Sequence, residues 1–239
     1  MEIGSGRFCA LLGPNGSGKT TLMRCINSIL KPEQGKVQLM NKDVAALNRP
    51  QIAKLVSFVP QSSHTVFAYS CLEMVLMGGV SRLKMWKVPG PQEQQKARQV
   101  CDEIGIGAWA DGHFNQLSGG QQQMVMLARA LYQETPIMLL DEPSSHLDFA
   151  NQHKVMGLIR KAVKVRGVTA LITLHDPNLA LHYCDEVIVL KQGRIIANGL
   201  SEEILNDNVM QVTFGDNIQV DDTSRGKRVI VPKYGPEGK

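Results

Sequence analysis

Gly13-Pro14-Asn15-Gly16-Ser17-Gly18-Lys19-Thr20 has the spacing G-x-x-x-x-G-K-[ST]. These residue types at this spacing suit phosphate chemistry. Glycines let the backbone wrap closely, so consecutive N–H groups point at phosphate oxygens. A helix starting at the loop's end would add its positive dipole end. Lys19 supplies a full charge at the β- and γ-phosphates, Thr20 offers a hydroxyl to Mg²⁺, and Thr21 reaches the α-phosphate. A glycine-rich loop that binds nothing is the competing interpretation. An apolar run before the loop and a helical pattern after it oppose that interpretation, so nucleotide binding is expected.

Two further stretches carry polar chemistry. Ile137-Met138-Leu139-Leu140 is an apolar run that ends in Asp141-Glu142-Pro143. A buried strand there would deliver Asp141 to the mouth of a sheet, where it could hold Mg²⁺ through water. Glu142, the next residue, points differently and could polarise an attacking water. Two solvated acids at a strand end would look the same in isolation. Leu117-Ser118-Gly119-Gly120-Gln121 precedes a helical pattern from Gln122 to Gln133. Ser118 suits an N-cap and the glycines expose N–H groups, so the segment is either a second anion site or an ordinary capped helix.

The elements that must position these residues alternate. Strands are expected at Phe8–Leu12, Lys36–Met40, Leu55–Val59, Ile137–Leu140 and Val168–Leu174, and helices at Thr20–Leu30, Leu72–Met77, Gln92–Ile104, Gln121–Gln133 and Ala150–Val165. Val187–Leu190 and Arg194–Ala197 read as a hairpin turning at Gln192-Gly193. This order predicts an α/β fold, a mostly parallel sheet covered by helices. From about 62 to 116 helical signals dominate, which predicts a helical subdomain inserted in one 239-residue domain, with a frayed tail over 232–239.

Composition bounds the rest. Hydrophobic residues make up 43% and charged residues 20% of the chain, which excludes disorder as the main state. The net charge of +4 is too small to imply a nucleic-acid partner. No apolar run approaches the roughly 18 residues of a membrane span, and no signal architecture opens the chain, so a soluble protein made in the cytosol is expected. Cys9, Cys25, Cys71, Cys101 and Cys184 are scattered without a CxxC pair and read as free thiols. His146 and His182 read as structural. His64, His113 and His153 read as surface residues.

The pentapeptide Leu117–Gln121, about twenty residues before the Asp141-Glu142 pair and about a hundred after the phosphate loop, resembles the signature of ABC-transporter ATPase subunits. The resemblance runs from about Glu2 to Val231, and it implies a P-loop ATPase core that uses ATP and Mg²⁺. It implies that Gln61, in Phe58-Val59-Pro60-Gln61, contacts Mg²⁺ and water and links core to helical subdomain. It implies metal contacts from Thr20 and Asp141, a D-loop at Ser144–Asp148 with Asp148 as its acid, and Glu142 as catalytic base. His175, in Thr173-Leu174-His175-Asp176, matches the switch histidine that contacts the γ-phosphate. The family works as a head-to-tail dimer, in which Ser118 and Gly120 of one chain close on ATP held by the other.

Three stretches narrow the resemblance: Pro60–His64 leading to Leu72–Gly78, the sequence Ser145-His146-Leu147-Asp148, and the short end from Ile218 to Pro232. The ensemble is similar to importers of iron–siderophore, haem, cobalamin and some oxyanions. It implies a homodimer or a paralogous cassette dimer, polytopic membrane permease subunits, and indirectly a solute-binding protein. It also implies a peripheral position on the cytoplasmic face of the membrane. One departure stands out. The family's first strands and adenine-stacking aromatic would precede Gly13 by more than the twelve residues present, and Phe8 falls inside a strand. A true start upstream of Met1 is the favoured expectation over a natural truncation. An inactive nucleotide-binding module and a soluble non-transport ABC protein are the alternatives.

Overall fold

The computed structural model describes residues 1–61, 67–82, 88–145 and 147–233. Its centre is a six-stranded sheet ordered β4-β5-β6-β1-β7-β8, formed by Val56–Val59, Ile137–Leu140, Thr169–Thr173, Phe8–Leu12, Glu186–Lys191 and Arg194–Leu200. Every pairing among the first five is parallel, and only the β7–β8 hairpin at the edge is antiparallel. The α/β expectation therefore holds.

Strand alternation explains why the sheet has two covered faces. Phe8, Ala10, Leu12, Met138, Leu140, Ala170, Ile172, Val187 and Val189 face one core. The alternate residues Cys9, Leu11, Leu139, Leu171, Ile188 and Leu190 face the other. The second core is closed by α1 (Lys19–Ile26) and α2 (Arg49–Leu55) through Met23, Ile26 and Ile52. The first core takes α3 (Cys71–Leu76), α4 (Pro91–Ile104), α5 (Gly119–Tyr132) and α6 (Phe149–Arg166). Four of the five cysteines are buried in these cores, where burial pushes the thiols of Cys9, Cys71, Cys101 and Cys184 up.

Toward the end of the chain lie α7 (Pro177–Tyr183), α8 (Ser201–Ile204), α9 (Asp207–Phe214), and the hairpin of β9 (Ile218–Asp222) and β10 (Arg228–Pro232). The Gln192-Gly193 turn carries positive φ at both central residues (49° and 74°), as a tight β7–β8 hairpin requires.

The expected strand at Lys36–Met40 is corrected. It shrinks to β2, Gln38–Leu39, which pairs only with β3, Lys42–Asp43, outside the main sheet. Met40 and Asn41 both take positive φ and turn the chain at once, and of β2 only Leu39 is buried, so no longer ladder has a face to hide. Likewise α1 stops at Ile26, short of Leu30. Ser28 adopts φ 55° and leaves Ile29 and Leu30 exposed. Pro232, expected in the frayed tail, pairs with Ile218, and Lys233 N–H donates to the Asn217 carbonyl. Residues 234–239 and His64 and His146 lie outside the described residues.

The strand that leads to the phosphate loop is anchored at its start by Asp185. Its carboxylate accepts from the Phe8 N–H (2.9 Å) and from Arg160 Nη1 (2.6 Å), while the Asp185 N–H donates to the Phe8 carbonyl (2.7 Å). Burial alone would raise this carboxyl. The Phe8 N–H, Arg160 and Lys164 outweigh it and hold it below the ordinary carboxylate range. A depressed folded-state pKa contributes stability above the unfolded value and loses it as pH falls through the folded one. Asp185→Asn should therefore cost about 2 kcal/mol at neutral pH. The difference from wild type should shrink below about pH 4. Urea unfolding at pH 7 and pH 3 measures both, and an equal cost at the two pH values would contradict the assignment.

Candidate functional site

Parallel strands end on the same side of a sheet, so four carboxyl ends deliver four segments to one edge. From β1 comes the loop Gly13–Gly18, from β4 Pro60-Gln61, from β5 Asp141-Glu142, and from β6 Leu174-His175. The result is a cleft of about 460 Å³ lined by Asn15, Gly16, Ser17, Gly18, Lys19, Thr20, Thr21, Gln61, Glu142 and His175. Residues as far apart as Asn15 and His175 thus share one cavity because the strand order places β5 and β6 beside β1.

The loop is shaped by its glycines. Gly13 has φ 151°, and a Cβ there would stand 2.2 Å from the Leu190 carbonyl oxygen, so the loop seats directly on β7. Gly16 and Gly18 take φ 76° and 101° and turn the chain into α1, whose N-cap is Gly18 itself. Gly193, in the β7–β8 turn, donates its N–H to the Ser17 carbonyl (3.1 Å). Lys19 is almost fully buried, and its Nζ donates to the carbonyls of Gly13 (2.8 Å) and Pro14 (3.1 Å). Burial pushes its ammonium pKa down, and the carboxylates of Glu142 and Asp141 partly oppose this.

The acids are held by hydroxyls and by each other's partners. Asp141 is buried, and its Oδ1 accepts from Thr173 Oγ1 (2.8 Å) and Thr20 Oγ1 (3.4 Å). Glu142 adopts φ 50°, a left-handed conformation that costs a non-glycine residue about 1–2 kcal/mol. Its N–H donates to Thr173 Oγ1 (2.7 Å). Its carboxylate takes Gln61 Nε2 on Oε2 and His175 Nε2 on Oε1, both at 2.6 Å. Glu142 is thus the hub of the cleft, with Gln61 and His175 converging on it from two other strands. The ensemble of Thr20, Gln61 and Asp141 offers hard oxygen donors only, which is the donor set Mg²⁺ takes.

The signature segment lies elsewhere on the chain. None of Leu117, Ser118, Gly119, Gly120 and Gln121 lines the cleft. Ser118 caps α5 in a box with Gln121: its N–H donates to Gln121 Oε1 (2.9 Å) and its Oγ accepts from the Gln121 N–H (3.4 Å). Ser118 and Gly119 are exposed, and nothing stands near a Cβ placed at Gly119. Gly120 packs on the D-loop, with Leu147 Cδ2 only 2.7 Å from where a Cβ would sit. That loop is bound to Glu142, whose carbonyl accepts from the Ser145 N–H and Oγ (3.2 and 3.1 Å). Asp148 caps α6 by accepting from the Asn151 N–H (2.8 Å). Down the same helix as the signature, Gln123 Nε2 donates to the Pro60 carbonyl (3.3 Å), next to Gln61.

Sequence reasoning missed Thr173, which touches both acids. A threonine closing an apolar strand reads as an ordinary strand former; its polar atom beside the His175 motif was the available signal. Phe8 is fully buried inside β1, and among the described residues the cleft lining contains no Phe, Tyr or Trp. His153 is not a plain surface residue: its Nδ1 lies 2.8 Å from the Tyr183 hydroxyl, and its ring meets Phe149 edge-on.

Residues 1–145 match the family model described as ABC transporter. The chain belongs to the ABC transporter family. As an ABC cassette it is an ATP-binding protein that hydrolyses ATP for transport. The cassette is 36% identical to the hemin import ATP-binding protein HmuV of Escherichia coli O157:H7, over 92% of this chain and 86% of that protein. It superposes on a metal-chelate-type ABC transporter caught in an inward-facing conformation with a TM-score of 0.86 at 30% identity, covering 98% of this cassette and 89% of that chain. The cassette MJ0796, solved as a dimer in a post-hydrolysis state with ADP and phosphate, aligns with a TM-score of 0.76 at 30% identity, over 84% and 88% of the two chains. Among the described residues no helix is long and apolar enough to cross a membrane.

Proposed function

We propose that this cassette powers the import of a metal chelate, of the iron–siderophore, haem or cobalamin kind, from the cytoplasmic face of a membrane. The observation that carries the catalytic part is the convergence of Lys19, Thr20, Gln61, Glu142 and His175 on one cleft of about 460 Å³. The solute class rests on the likeness to HmuV and to the metal-chelate-type transporter. In this reading the amides of Gly13–Thr21 and the Lys19 ammonium grip the ATP phosphates. Lys19 exchanges its bonds to the Gly13 and Pro14 carbonyls for phosphate oxygens. Thr20, Asp141 and Gln61 hold Mg²⁺, which, when bound, neutralises charge on the phosphoryl oxygens. Glu142 accepts the proton of the attacking water, and Gln61 and His175 orient its carboxylate.

Ser118 and Gly120 act on the nucleotide of a second cassette, either a copy of this chain or a paralogue. Support comes from the exposure of Ser118 and from the place of both residues outside the chain's own cleft. Polytopic permease subunits carry the solute path, with a solute-binding protein feeding it. Complementation tests the head-to-tail arrangement. Lys19→Ala spoils only the phosphate loop and Ser118→Arg only the signature, so a mixture of the two chains should hydrolyse ATP although neither does alone. Absence of recovery in mixed dimers would refute the arrangement. Unchanged ferric-siderophore, haem and cobalamin uptake in cells lacking the cassette would refute the solute class.

A further inference from the structure

We propose that Thr173 is a positioning residue for hydrolysis: its hydroxyl locks the Glu142 main chain into the left-handed turn that aims the carboxylate at the cleft. The inference rests on Glu142 being the proton acceptor, as proposed above. Thr173 is fully buried at the end of β6, two residues before His175. A hydroxyl has one proton to give and lone pairs to receive. Here the proton goes to Asp141 Oδ1 (2.8 Å), so the oxygen is left to accept, and it takes the Glu142 N–H at 2.7 Å. One side chain therefore spans both acids from the neighbouring strand.

The conformation it stabilises is one that a glutamate does not adopt freely. Glu142 sits at φ 50°, and its carbonyl is tied to the D-loop through Ser145. Its N–H donates to the buried Thr173 Oγ1. Without that acceptor the peptide between Asp141 and Glu142 has reason to rotate. Rotation would swing the carboxylate away from Gln61 Nε2 and His175 Nε2, both now at 2.6 Å. Thr173 is not among the residues that line the cleft, and it reaches Thr20 of the phosphate loop through the shared Asp141 Oδ1 and not directly. The effect should thus fall on the chemical step and spare nucleotide affinity. Misplacing a reacting group by an ångström costs on the order of 100-fold in rate.

The test compares Thr173→Val, Thr173→Ala and Thr173→Ser in steady-state ATP hydrolysis, with ATP affinity and magnesium half-saturation measured alongside. Valine and alanine should lower kcat on the order of 10- to 100-fold with ATP affinity within about threefold of wild type. Serine, which keeps the hydroxyl and loses the methyl, should restore kcat to within about threefold of wild type. The alanine–serine pair decides the matter even if valine fails to fold. In a Glu142→Gln background the valine or alanine change should cause no further loss of residual hydrolysis, whereas a merely structural role would lower it again. Wild-type kcat in Thr173→Ala overturns the proposal, as does a defect that saturating magnesium repairs, since that would place the role at Asp141 alone. If Glu142→Gln itself turns over normally, the failure belongs to the assignment of the base and not to Thr173.

Discussion

Glu142→Gln should bind ATP within a few-fold of wild type, accumulate as an ATP-bound dimer, and hydrolyse on the order of 1000-fold more slowly. The size follows from what the side chain does. Its two oxygens take Gln61 Nε2 and His175 Nε2 at 2.6 Å, and the carboxylate still has lone pairs for a water proton. The amide keeps the shape and one accepting oxygen, but it has no basic oxygen to take the proton. Binding should survive because the loop amides and Lys19, which hold the phosphates, are unaltered. Phosphate-release kinetics and size-exclusion chromatography with and without magnesium-ATP read the two halves separately. Hydrolysis at the wild-type rate would remove Glu142 from its role. Loss of nucleotide binding would instead make it part of the binding surface.

Lys19→Ala should weaken ATP binding about 100-fold, equivalent to about 3 kcal/mol, while leaving the fold intact. The ammonium is buried and occupied by the Gly13 and Pro14 carbonyls, so it is already desolvated and aimed inward. Phosphate oxygens offer it full charges in place of those dipoles. Burial lowers its pKa from the ordinary 10.5, and bound phosphate would raise it again. ATP affinity should therefore fall as pH rises through the free-state value, earlier than for an exposed lysine. Titration calorimetry against pH measures this, with circular dichroism as the control for folding. Unchanged affinity in the alanine variant would rule out the phosphate contact.

How much of this was legible in the chain depended on burial. Phe8–Leu12 and Ile137–Leu140 were read to the residue, because strands buried on both faces of a parallel sheet are continuous apolar runs. Helices α2, α7, α8 and α9 and the β9–β10 hairpin were not read. Of α2 only Ile52 is buried, and its N-terminus is held by the Asn48–Gln51 capping box instead of an apolar stripe. Strands β9 and β10 are half-exposed and owe part of their place to Asn178, which bonds both the N–H and the carbonyl of Ile230. Such a contact joins residues 52 apart and leaves no local pattern.

At the site, residue type at the end of an apolar run pointed to the phosphate loop and the paired acids, and the resemblance to the family pointed to Gln61 and His175. The Leu117–Gln121 pentapeptide, by its distance from the phosphate loop and the paired acids, pointed to the family. Only the tertiary structure decided that Gln61 and His175 converge on Glu142, that Lys19 rests on its own loop, and that Thr173 joins both acids. These depend on strand order, which places β5 and β6 beside β1, and on a left-handed turn at Glu142. Local spacing encodes which groups reach the sheet's edge; long-range pairing determines which of them meet.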